Sequence, residues 1–89
     1  MQAYRGVVAY HLTTVGEGID TVEQALLAAG LTFTRTPVTV AWPGGRGDGA
    51  EFVFVLPAPN QRTGLDLVQR LRAATTWLQV RTVDGSTPA

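Results

Sequence analysis

The chain has 89 residues, a formal net charge of zero, and neither cysteine nor lysine. Without cysteine there is no disulfide framework, thiolate nucleophile or thiolate metal site, and without lysine there is no Schiff base or P-loop amine. No apolar run approaches the roughly 18 to 20 residues that cross a bilayer, and the seven arginines are spread along the chain against seven acids, so no basic stripe of the kind that tracks phosphates is present.

A chain of this size makes one domain, burying roughly 60 to 65% of the surface its unfolded form would expose. The expected domain runs over 1–84, with 85–89 a flexible tail. The N-terminal stretch lacks the small-residue cleavage site of a signal peptide, which points to the cytoplasm. Residues 4–15 alternate as a strand, with Tyr4, Gly6, Val8, Tyr10 and Leu12 on one face and Val7, Ala9 and His11 on the other. Gly16 and Gly18 punctuate. Asp20 with Glu23 three residues on reads as a capping box opening a helix whose buried stripe is Ile19, Val22, Leu26 and Ala29, and Gly30 stands where a left-handed residue ends it.

Residues 31–42 read as a second strand, on an edge because Pro37 lacks a ladder donor, with Val38, Val40 and Trp42 on one face. The glycine-rich tract 43–49 is expected to be a mobile hairpin tip. Residues 51–57 return as a central strand, Phe52, Phe54 and Leu56 pointing one way and Val53 and Val55 the other. A second helix follows, capped by Asn60 or Thr63, with Leu65, Val68, Leu71 and either Ala74 or Thr75 as its stripe. Residues 77–83 form the last strand, Leu78 and Val80 inward and Gln79 and Arg81 outward. This order predicts an α+β, ferredoxin-like βαββαβ fold, a four-stranded antiparallel sheet in the order 4-1-3-2 with both helices on one face.

Helices on one face leave the other open, and Val7, Ala9, His11, Val53 and Val55 form its expected interface, to be covered by self-association or by a neighbouring domain. Thr14, Val15, Gly16, Glu17 and Gly18, between the first strand and a helix N-terminus, are the candidate ligand site for an anion or amino acid, without P-loop or GxGxxG spacing. Glu17, Asp20 and Glu23 are explained by the helix dipole, so no metal site and no cofactor is expected. His11 is the only imidazole and Ser86 the only serine, which leaves no convincing catalytic set. The tripeptide Arg46, Gly47, Asp48 has no secreted context. Gly49, Phe52 and Val53 match fragments of an RNA-recognition pattern, but Ala50 and Val55 stand where stacking rings are needed, so no nucleic-acid partner is expected.

The run from Val15 to Phe33, with Gly18 opening a helix that ends in Ala29 and Gly30 before Leu31 and Phe33, resembles ACT domains. It is also similar to the ACT-like cytosolic domain of MgtC-family membrane proteins, which implies a tether to a larger membrane protein without direct insertion. The resemblance implies a non-enzymatic regulatory or assembly module that pairs through its sheet. Val15, Gly16 and Glu17 replace the usual Asp/Arg-Pro-Gly opening of the ligand loop. Two alternatives remain: a small-molecule sensor at the first strand-to-helix loop, and an enzyme of the dimeric ferredoxin-like barrel type using His11.

Overall fold

The computed structural model describes residues 6–75 and 77–84. Tyr4, Ser86 and the expected tail over 85–89 lie outside them. The elements follow as β1 (Val7–Val15), α1 (Gly18–Ala28), β2 (Phe33–Trp42), β3 (Gly45–Pro57), a 3₁₀ turn (Ala58–Asn60), α2 (Gln61–Ala74) and β4 (Leu78–Asp84). All strand pairs are antiparallel and the sheet order is β2-β3-β1-β4, the expected 4-1-3-2 read from the other edge.

The core lies between sheet and helices. Val8, Tyr10 and Leu12 of β1 and Ala50, Phe52, Phe54 and Leu56 of β3 meet Val22 and Leu26 of α1 and Leu67, Val68 and Leu71 of α2. Alternation along the two central strands sends every second side chain into this layer, as the strict buried and half-buried alternation of β1 shows. Phe52, one of the residues that match the RNA-recognition fragment, lies on the helix-covered face at 0% exposure.

Several local expectations need correction. Helix α1 starts one turn earlier than the capping box implies, at Gly18. Glu17 occupies the N-cap position without a side-chain cap, and Asp20 lies within the first turn. Glu23 is engaged elsewhere, 3.1 Å from Arg35 on β2. Ala29 is the exposed C-cap rather than part of the buried stripe. The helix end itself is as expected: Gly30 has φ +72°, its amide donates to the Leu27 carbonyl and the Leu31 amide donates to Leu26, the paired bonds of a Schellman motif.

In α2 the buried positions are Gly64, Leu67, Val68 and Leu71, whereas Leu65 and Ala74 are exposed; Thr75, just beyond the helix, is buried. Asn60 holds the N-cap position with no side-chain bond, and Thr63 lies inside the helix. The largest departure is at 43–49. Only Pro43 and Gly44 form the turn, and Gly45 to Gly49 pair with Trp42 to Val38 as regular strand. Pairing between β1 and β3 stops at Val15 and Gly49, so the β2–β3 ribbon runs on past the end of β1.

Candidate functional site

The open face of the sheet is ordered by strand register into cross-strand rows. Ala9 lies opposite Val55 on β3 and Val83 on β4; His11 lies opposite Val53 and Arg81; Thr13 lies opposite Glu51 and Gln79. The first row is apolar, the last is polar, and His11 sits at the change between them. Because the side-chain period of a strand is two, all of these residues share one face, and the five expected interface residues Val7, Ala9, His11, Val53 and Val55 come together there.

Two hollows mark this face. An open depression of about 670 Å³ is lined by Val7, Ala9, His11, Val53, Val55 and Val83, together with residues 32–34. A polar hollow of about 190 Å³ is lined by His11, Thr13, Glu51, Gln79 and Arg81. His11 lines both. Its Nδ1 is enclosed without a hydrogen-bond partner and stands 3.7 Å from Glu51 Oε2. The apolar row is the more exposed part, with Val55 at 42% and Val83 at 47%. His11 therefore stands on the open face of the sheet, between its apolar and polar parts.

Glu51, Arg81 and Val83 complete this surface; of these, Arg81 was expected to point outward, while Glu51 and Val83 were not expected on it. The outward position of Arg81 follows from alternation along the last strand, but its place beside His11 depends on β1–β4 register, which no local pattern states.

The strand-to-helix loop is arranged differently. Thr14 is fully buried and its hydroxyl donates to the Trp77 carbonyl at 2.7 Å. Gly18 is buried against Thr14 and Thr75, with no room for a side chain. Val15 is half-buried, and only Gly16 and Glu17 are exposed. The loop's carbonyls accept from the helix: Gly16 from the Ile19 amide at 3.2 Å, and Glu17 from both the amide and the hydroxyl of Thr21 at 3.3 Å. Among the described residues no group of three or more His, Cys, Asp or Glu side chains converges as a metal site, and no helix is long and apolar enough to cross a membrane.

No protein-family model and no curated relative matches the sequence. Solved structures do match its shape. A DUF3240 family protein from Shewanella baltica OS155 superposes with a TM-score of 0.71 at 14% identity, over 88% of each chain. CutA from Synechococcus elongatus PCC7942, in complex with Bis-Tris, gives 0.63 at 18% identity over 91% of this chain and 82% of that one. CutA from Xylella fastidiosa gives 0.60 at 15%, over 94% and 88%. Nothing in these likenesses ties the chain to MgtC-family membrane proteins. At such identities they show the fold: an antiparallel four-stranded sheet with two helices, of the ferredoxin-like class to which ACT domains also belong.

Proposed function

We propose that this chain is a non-enzymatic regulatory or assembly module that works through the open face of its sheet by associating with further copies of itself. The observation that carries this reading is the apolar depression bordered by Val55 and Val83, both large and both close to half exposed on a chain with little core to spare. Contiguous exposed apolar surface of this kind marks interfaces, and covering it returns to a small domain the burial that its own helices cannot supply. The composition agrees: neither cysteine nor lysine is available for covalent chemistry.

The test is sedimentation velocity or light scattering from micromolar to millimolar concentration. The wild-type chain is expected to associate reversibly. Val55→Asp, which puts a charge on the exposed β3 side of the apolar row without touching the core, is expected to give a monomer with an unchanged far-ultraviolet spectrum. A wild-type chain that stays monomeric throughout would overturn the proposal.

A further inference from the structure

The open face is unequal on the two sides of β1, and the inequality makes it complementary to itself. Val55 and Val83 both lie opposite Ala9, one on β3 and the other on β4, so two half-exposed ridges flank a residue too small to fill the space between them. Two strand positions along, His11 lies opposite Val53 and Arg81, and a charge approaches it from each side, Glu51 from the next row of β3. Glu51 is on the β3 side, its carboxylate 3.7 Å from Nδ1, and Arg81 is on the β4 side, directly opposite His11 in register. Among the described residues Arg81 pairs with no acid. The β3 flank is thus apolar and negative, and the β4 flank apolar and positive.

We propose that the occupant of the open face is a second copy of this chain, laid so that the β3 flank of one copy meets the β4 flank of the next, with Val55 against Val83 and Glu51 against Arg81. The valine ridges of one copy meet those of the other on either side of Ala9, and each unlike charge meets its complement when the face is covered. A chain of zero net charge has no long-range repulsion opposing such contact. If the contact is reciprocal it makes a twofold pair, and if it is head-to-tail it makes a ring where the rotation closes and an open filament where it does not; the residues that meet are the same in each. This assignment rests on sheet-face association but goes further, since it names which side chains meet.

The absence of cysteine makes a direct test clean. Within one copy β3 and β4 are two strand spacings apart, roughly 9.5 Å, which exceeds the Cα separation of about 7 Å that a disulfide tolerates. Oxidised V55C/V83C is therefore expected to give covalent multimers on non-reducing gels, whereas L65C, on the exposed side of α2, is expected to give none. In a parallel set, E51R and R81E are each expected to weaken association about tenfold, and E51R/R81E to recover most of the loss, with melting temperatures recorded to separate association from stability. If the wild-type chain associates and V55D abolishes it, yet V55C/V83C stays uncrosslinked and the double reversal gives no rescue, this arrangement is wrong while sheet-face association stands. A monomeric wild-type chain would remove both.

Discussion

Tyr10 is fixed within the sheet by one contact and joined to the second helix by two. Its ring stacks on Phe54 with centroids 4.9 Å apart and planes 8° from parallel, its hydroxyl donates to the Gln61 carbonyl at 3.0 Å, and it occupies the space that a side chain at position 64 would need. A Cβ added at Gly64 would stand 2.5 Å from the Tyr10 hydroxyl and 2.7 Å from Cε1. In an ordinary helix interior, glycine to alanine gains up to about 1 kcal/mol. Here Gly64→Ala is expected to cost about 1 to 3 kcal/mol, because ring and helix must separate, and urea denaturation would show the reversal of sign. Burial also raises the Tyr10 phenol above its ordinary value of 10.0. The unfolded chain releases that proton first as pH rises, so this contribution to stability is intact below about pH 10 and is lost above it. Tyr10→Phe is expected to lose about 1 kcal/mol at neutral pH, from the unpaired Gln61 carbonyl, and to show a shallower fall in stability in alkali than the parent.

At the level of elements, the β2–β3 ribbon shows how a glycine-rich tract can be strand. Gly45 and Gly47 lack side chains, but Trp42 lies along them: Cβ atoms there would be 3.6 Å from its Cζ2 and 3.7 Å from its Cη2, ordinary contact distances. An aromatic side chain on one strand thus covers glycines on the next and restores the packing they lack. Replacing Trp42 by Ala is expected to speed amide exchange at residues 45–48 by about an order of magnitude while leaving global stability nearly unchanged, because this part of the ribbon lies beyond the end of β1. Equal protection in the two proteins would show that backbone pairing alone holds the ribbon. The same lesson applies at the helix starts. Asp20 and Glu23 have capping-box spacing, but Gly18 fits under the first turn against Thr14 and Thr75, and Arg35 on β2 takes Glu23. Likewise the phase of α2 is set where Gly64 meets Tyr10, which turns Leu67 inward and Leu65 out.

For the whole molecule, the extents of 41 × 24 × 19 Å describe an elongated sheet with two helices on one side and little depth of core. Coverage of the open face therefore bears on stability as well as on assembly. If copies associate through it, the melting temperature is expected to rise with protein concentration, since binding of the folded form alone stabilises by mass action. V55D is expected to abolish that dependence. A melting temperature independent of concentration in the wild-type chain would argue that the open face is not closed by copies of itself.

The order of elements, the central place of β1 and β3, the edge position of β2, the glycine end of α1 and the apolar character of the open face were all legible in the sequence. They follow from periodicity and from single residues whose backbone restrictions act locally: Pro37 denies a ladder bond, and Gly30 accepts a positive φ. The strand over 45–49, the start of α1, the phase of α2 and the gathering of Glu51, Arg81 and Val83 about β1 were decided only by tertiary structure. Each depends on a contact between residues far apart in the chain, and a local preference yields to such a contact when packing or register contributes more than the preference costs.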